Sequence, residues 1–279
     1  MPAQLPFELL ALIIDNVASQ TFDGNDDHPD TTVLRNCALV SSQLTTLCQK
    51  QLLTNVRIPF DKPHAISRLC QILDVDHPEL GSSVKVLSVI FRTEGDAFHA
   101  DLHRIIGRCT QVTRLTIGCD STEYGVDWIG ELSQNTRLAL ESVIRSPTCK
   151  RFYCYNVHLP LYVFLLPQRT DGLESIIFSK NGQVYRPVYK WNLPVEGPPC
   201  SSLRSLFTNT SLLKEFLPVT FPDGRHLFDF TNLEILWVDP SSRHAGGRQP
   251  NVAAQMLDRA TCLRTLGLEL GCTLWELFH

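Results

Sequence analysis

One apolar pattern, apolar-x-x-apolar-x-apolar, recurs seven times between residues 84 and 268. The seven copies are Val84-Leu87-Val89, Val112-Leu115-Ile117, Cys149-Phe152-Cys154, Leu173-Ile176-Phe178, Leu203-Leu206 followed by Thr208, Leu233-Leu236-Val238 and Leu263-Leu266-Leu268. Their first positions are separated by 28, 37, 24, 30, 30 and 30 residues. Self-similarity at a period of about 20–50 residues is typical of solenoids, in which stacked repeats bury one continuous core. The pattern therefore predicts a solenoid in residues 61–279, with the recurring apolar residues in its core.

The Leu-x-x-Leu-x-Leu core of these copies resembles that of leucine-rich repeats in a divergent form. The resemblance implies one short strand per repeat, a concave parallel sheet, and helices or irregular segments on the convex side. Helical patterns lie between the copies at 97–109, 126–146, 159–166 and 252–261. We therefore expect an α/β fold with a leucine-rich-repeat-like solenoid.

Residues 1–60 carry a different, helical pattern. A helix is predicted to begin near Pro6, because a proline in the first turn leaves no backbone donor unpaired. Leu9, Leu12, Ile13 and Asn16 fall on one side of this helix, and Leu10, Ile14 and Val17 fall on another. Such a helix is expected to be buried on both faces. Two more helices are predicted between Thr32 and Leu53, with Ser41 and Ser42 capping the break between them, which makes a three-helix module.

The same segment contains Leu-Pro-x-Glu-Leu, an Ile four residues on, and Leu-Val-Ser. The matching residues are Leu5, Pro6, Glu8, Leu9, Ile13, Leu39, Val40 and Ser41. Over about residues 4–58 the chain resembles an F-box in its fungal, F-box-like form, although Leu44 stands where members of that family commonly carry Trp. The resemblance implies docking to the Skp adaptor of a cullin–RING ubiquitin ligase. The adaptor-binding residues that it implies are Leu5, Pro6, Leu9, Ile13, Leu39, Val40 and Leu44.

The segment 179–200 is rich in residue types that anchor protein interfaces. It contains Tyr185, Arg186, Tyr189, Lys190 and Trp191, and Tyr, Trp and Arg are enriched among interface hot spots. Insertions between repeats tend to lie on one face, often the binding face. We predict that these five residues bind a target protein. The alternative is a surface loop whose aromatic side chains pack back on the solenoid.

Charge and composition exclude several classes of protein. The formal net charge is −4, which argues against a general nucleic-acid binder. No apolar run reaches the roughly 20 residues of a membrane span, and no secretory signal pattern opens the chain. Ten cysteines without any CxxC motif are expected to be reduced and to act as small apolar residues. These observations predict a cytoplasmic or nuclear protein with neither a membrane nor a nucleic-acid partner.

Signatures of catalysis are missing from the sequence. There is no GxSxG, GxGxxG, GxxxxGK[ST] or HExxH motif. His99 and His103 share a helix face at i and i+4, but without a third ligand this spacing is more typical of a solvated face than of a metal site. We therefore expect no catalytic residue, metal or cofactor in this chain.

The function that these patterns predict is the substrate-recognition subunit of an SCF-type ubiquitin ligase. Such a subunit binds the Skp adaptor through residues 1–60 and an unidentified target through the rim of the repeats. Two alternatives stay open. One is an adaptor-independent interaction scaffold whose N-terminal helices only cap the solenoid, and the other is a hydrolase without a recognisable motif.

Overall fold

The computed structural model describes residues 6–22, 31–92, 99–120, 125–164, 172–179, 184–185, 202–209, 226, 228–239 and 252–268. Within these residues the protein is a mixed α/β structure. The helices are α1 (Phe7–Phe22), α2 (Thr32–Ala38), α3 (Ser42–Leu52), α4 (Pro63–Gln71), α5 (Leu102–Arg108), α6 (Gln134–Arg145) and α7 (Val252–Arg259). A π-helical turn spans Ile72–Asp76, and 3-10 turns span Pro78–Ser83 and Leu161–Phe164.

Eight strands form the main sheet, and they lie beside one another in their order along the chain. They are β1 (Asn55–Arg57), β2 (Val86–Phe91), β3 (Arg114–Cys119), β5 (Arg151–Tyr155), β7 (Ser175–Ser179), β9 (Ser205–Asn209), β10 (Ile235–Asp239) and β11 (Thr265–Leu268). Every neighbouring pair runs parallel. The first strand, Asn55–Arg57, lies within the segment 1–60 that the sequence pattern assigns to the helical module.

The strand register pairs the recurring apolar positions with one another. The middle residues of the seven copies, together with Val56 of β1, form one row across the sheet: Val56, Leu87, Leu115, Phe152, Ile176, Leu206, Leu236 and Leu266. All are buried in the main hydrophobic core except Leu266, which is 47% exposed on the last strand. Periodic burial therefore sets the register, because a shift by one residue would turn each row to the opposite face.

The same pair of backbone hydrogen bonds occurs at the start of each strand of the main sheet from β2 onward. The carbonyl of Thr54 accepts two hydrogen bonds, from the amides of Lys85 and Val86, both at 2.9 Å. The equivalent pair of bonds recurs at every later step across the sheet, with the acceptor carbonyls on Lys85, Thr113, Lys150, Glu174, Arg204 and Glu234. The carbonyl before each strand thus fixes the residue at which the neighbouring strand begins.

A second, three-strand sheet follows the carboxyl ends of the main strands. It consists of β4 (Val126–Asp127), β6 (Val157–Pro160) and β8 (Val184–Tyr185). Asn156 joins β5 to β6 with a φ of 48°, a left-handed conformation that Asn tolerates better than most residues. Its side-chain amide donates to the carbonyl of Cys119 at 3.0 Å, so the kink is tied to the neighbouring strand.

The helices are shorter than the periodicity predicts. Residues 126–127 lie in β4, because Val126 pairs with Val157, and α6 begins only after Ser133, whose hydroxyl accepts from the amide of Thr136 at 3.2 Å. In the predicted helix 159–166, Leu159 and Pro160 belong to β6, and the described residues that follow, Leu161–Phe164, form a 3-10 turn. Apolar spacing alone does not distinguish such short strands and turns from helix.

The cysteines follow the expectation for reduced thiols. The eight within the described part of the chain are all free, and six of them are buried. Burial raises the pKa of the Cys109 thiol to about 12 and raises that of Cys154 further. The neutral thiol is a poor nucleophile, so these side chains act as small core residues.

A charged network joins the π-helical turn to α5. Asp74 accepts hydrogen bonds from Arg104 and Arg108, and the two nitrogens of Arg108 lie 2.8 and 2.6 Å from Asp74 Oδ1. Hydrogen bonds from Arg108 and then Arg104 lower the pKa of the Asp74 carboxyl below its usual value. The folded state therefore favours the carboxylate form.

This network predicts a specific pH dependence of stability. A carboxyl with a lowered folded pKa stabilises the fold above its unfolded pKa of about 3.9, and this stabilisation is lost as pH falls through the folded pKa. Asp74→Asn is therefore expected to lower the free energy of unfolding at neutral pH, and its difference from wild type should shrink toward zero in acid. Urea titrations at a series of pH values measure this difference. Asp258→Asn, at an exposed site on α7, is the control, and an equally pH-dependent difference there would contradict the assignment.

Candidate protein-interaction surfaces

The first helix has two apolar faces, and the chain covers one of them. Ile14 and Ala18 are buried with Leu34 and Cys48 in a small core that is separate from the main one. On the other face Leu9, Leu12 and Ile13 are exposed by 46%, 63% and 50%. The expectation that both faces are buried is therefore met within this chain on one face only.

The turn between α2 and α3 presents two more apolar side chains. Leu39 is 87% exposed and Val40 is 74% exposed. Their amides donate to the carbonyls of Asn36 and Cys37, both at 3.1 Å. Ser41 caps α3 as predicted, because its hydroxyl accepts from the amide of Leu44 at 3.2 Å. The hydrogen bonds of this turn thus hold two large apolar side chains in solvent-exposed positions.

Exposed apolar side chains are concentrated in this part of the protein. Within the described residues, seven of the eleven large apolar side chains that are strongly exposed lie between residues 7 and 40: Phe7, Leu9, Leu12, Ile13, Val33, Leu39 and Val40. Clusters of exposed apolar surface mark sites of protein or membrane contact more often than scattered single residues do. No helix in the described ranges is both long and apolar enough to span a bilayer.

The residues implied by the F-box resemblance have different surroundings. Pro6, Leu9, Ile13, Leu39 and Val40 are exposed, and we name these five the docking residues. Leu44 is half-buried and packs against the small core, so it supports the module from within. Leu5 lies outside the described residues.

Of the five predicted target-binding residues, the structure describes only Tyr185, and only its backbone. Tyr185 ends β8, where it pairs with Pro160 of β6. Arg186, Tyr189, Lys190 and Trp191 lie outside the described residues. Their role in target binding stays a prediction.

A second surface was missed by the sequence analysis. It lies on the face of the main sheet opposite the buried row. One row on this face carries Arg114 and Arg151 at paired positions, and the next carries Tyr153, Ile177, Phe207 and Trp237. We name Arg114, Arg151, Tyr153, Phe207 and Trp237 the arginine–aromatic patch, in which Phe207 is buried and the other four residues are at least partly exposed. The only signal in the sequence was their alternation with the apolar core positions inside each strand.

The patch is ordered by contacts among its own side chains. The guanidinium carbon of Arg114 lies 5.6 Å from the centre of the Tyr153 ring. The Phe207 and Trp237 rings stack with centres 6.1 Å apart and planes 11° apart. A Cβ at Gly267 would overlap the Trp237 ring, so glycine leaves the space in which that ring lies.

At the carboxyl ends of the main strands, Tyr155, Asp120 and Arg57 form polar contacts with one another. Tyr155 lies over Gly118 and donates its hydroxyl proton to Asp120 at 3.1 Å, and Asp120 also pairs with Arg57 at 3.5 Å. Burial raises the pKa of Tyr155, followed in effect by the Asp120 charge, so the phenol stays a proton donor. This group holds neighbouring strands together.

The chemistry expected of a metal site does not assemble in the described part of the chain. No group of three or more His, Cys, Asp or Glu side chains there is placed to hold a metal ion. Of the two histidines with helical spacing, His99 accepts a hydrogen bond from the amide of Asp101 through Nδ1 at 3.3 Å. His99 thus orders the turn that leads into α5.

Comparison of the chain with protein-family models and with curated proteins finds no match.

Proposed function

We propose that the protein is the substrate-recognition subunit of a cullin–RING, SCF-type ubiquitin ligase. In this proposal the N-terminal helices bind a Skp adaptor, and the repeats, as a leucine-rich-repeat-like solenoid, bind the target. The ligase supplies the chemistry, and this chain raises the concentration of the target near it. This function requires no cofactor bound to the chain.

One observation carries the proposal: four residues that match the F-box pattern are large, apolar and exposed. These are Leu9, Ile13, Leu39 and Val40. Fully burying a side chain of this size is worth about 1.5–3 kcal/mol, so a partner that covers these four partly to largely exposed residues gains a favourable contribution to binding. If the N-terminal helices only capped the solenoid, nothing would favour large apolar side chains at these solvent-exposed positions.

The sheet supports the second half of the proposal. Stacked repeats produce the regularities seen here. These are eight parallel strands in chain order, one buried apolar row, and a carbonyl before each strand that accepts two hydrogen bonds from the next strand. A sheet built in this way offers an extended face for a protein partner.

A second candidate function is an adaptor-independent interaction scaffold. One observation favours it, namely that Leu44 packs against the small core instead of facing outward. In addition, α3 packs against β1 and the 3-10 turn Pro78–Ser83, as a capping helix would. The two functions differ in whether the docking residues bind an adaptor.

Co-expression with a fungal Skp adaptor distinguishes them. The tagged chain and the adaptor are expected to elute together from size exclusion as one 1:1 complex. A folded chain that elutes apart from the adaptor would contradict the receptor function and favour the scaffold.

A further inference from the structure

The arginine–aromatic patch combines positive charge and apolar surface on one face of the sheet. We propose that it binds an acidic peptide segment of a partner protein, with carboxylates on Arg114 and Arg151 and a bulky apolar side chain on Trp237, whose ring stacks on the buried Phe207. The segment would belong to the target of the proposed receptor, and to that extent this assignment rests on the proposed function. The predicted loop at 185–191 is not needed for it.

The two arginines are an exception to the charge pattern of this sheet. At the positions just before neighbouring strands, charged side chains are complementary: Lys150 lies 3.5 Å from Glu174, and Arg204 lies 3.7 Å from Glu234. Arg114 and Arg151 are register partners with the same charge, and within the described residues neither forms an ion pair with a carboxylate. Like charges on adjacent strands repel each other, and a bound carboxylate removes that repulsion.

The neighbouring positions fit the same ligand. Ser175 and then Ser205 continue the arginine row on the next two strands, and their hydroxyls can donate to the same anion or to peptide carbonyls. Arg151 is exposed and Arg114 is half-buried, so neither arginine is enclosed by the described residues. An arginine fork matches a carboxylate in geometry as well as in charge.

The apolar half of the patch lies a short distance away. Three strand spacings separate the midpoint of the arginine pair from the midpoint of the Phe207–Trp237 stack, which is about 15 Å at roughly 4.8 Å per strand. An extended peptide covers that distance in about four or five residues. The patch therefore fits a segment whose acidic and apolar residues are separated by about that number of positions.

A single-stranded RNA is the other ligand that arginine and aromatic residues can bind, through phosphate contacts and base stacking. The net charge of −4 disfavours it, because binding to a phosphate backbone draws on many positive charges and the patch contains two. We therefore assign the peptide.

The test uses the full chain without adaptor and a fluorescein-labelled peptide, with anisotropy as the readout. The probe has two adjacent glutamates, a short Gly/Ser spacer and a Leu-Phe pair. Matched probes replace the glutamates by glutamine, replace Leu-Phe by Ser-Ser, or consist of oligouridine. The variants are Arg114→Gln with Arg151→Gln, and Trp237→Ala, with the exposed Arg35→Gln on α2 as a control for loss of a positive charge.

The acidic probe is expected to bind, and both patch variants should weaken it at least about tenfold while Arg35→Gln leaves it unchanged. The glutamine and Ser-Ser probes should bind the wild-type chain at least about tenfold more weakly, and added salt should weaken the acidic probe. These probe comparisons need no variant, so they hold if a variant fails to fold.

Equal binding of the acidic and glutamine probes, no binding of either, or preferential binding of oligouridine would each overturn the assignment. None of these results depends on the adaptor. A chain that captures the adaptor but not the acidic probe would refute the patch assignment alone, and the converse result would refute the docking proposal alone.

Discussion

Replacing Leu9 and Val40 together by Asp is expected to abolish capture of a Skp adaptor while the fold is retained. Both side chains are strongly exposed, at 46% and 74%, so neither substitution removes core contacts. Leu9 is the third residue of α1, where an acidic side chain interacts favourably with the helix dipole. If the adaptor buries these positions, two unpaired carboxylates in an apolar interface should weaken binding by at least about a hundredfold.

The measurement is binding of the purified variant to immobilised adaptor, with circular dichroism and a melting curve to verify the fold. The matched control is Leu138→Asp with Leu257→Asp, which also replaces two exposed apolar residues by Asp, at positions 53% and 40% exposed on α6 and α7. This control should bind the adaptor as wild type does. A folded Leu9/Val40 variant that still captures the adaptor at wild-type strength would show that the docking residues do not form the interface.

The main sheet was the most predictable part of the structure, because the spacing of the apolar residues along the chain indicates the order of its strands. The middle residues of the seven copies, Leu87 to Leu266, occupy one register row. Burial of that row leaves only one register in which every copy faces the core. Even the irregular 37-residue step from Val112 to Cys149 preserves this register, since the additional residues are used in β4 and α6.

Features that depend on short strands or on side chains across strands were not predictable. The two residues of β4 resemble helix in spacing and become a strand only because Val157 follows the Asn156 kink. The arginine–aromatic patch is dispersed from residue 114 to residue 237, and its members become neighbours only once the register is known. The second apolar face of α1 was visible in the sequence, but which face the chain covers depends on how Leu34 and Cys48 pack.

Phe152→Ala is expected to destabilise the protein by about 3–5 kcal/mol, the usual range for removing a buried aromatic ring. Phe152 is fully buried in the apolar row, and its ring is edge-on to those of Phe164 and Phe178, with centres 5.9 and 6.4 Å away. Phe164 and Phe178 also contact each other at 6.2 Å, so the three rings form a closed cluster. Domains are stable by about 5–15 kcal/mol in total, so this loss is a large fraction of the whole.

Urea unfolding of Phe152→Ala beside Phe7→Ala measures the effect against the same substitution at a site that is 51% exposed. Phe7→Ala should change the free energy of unfolding by no more than about 0.5 kcal/mol. Phe152→Leu refills part of the cavity and should fall between the two, because the loss increases with the empty volume left behind. A loss below about 1 kcal/mol for Phe152→Ala would mean that the ring cluster is not tightly packed. In that case the apolar row would not be the element that fixes the register of the sheet.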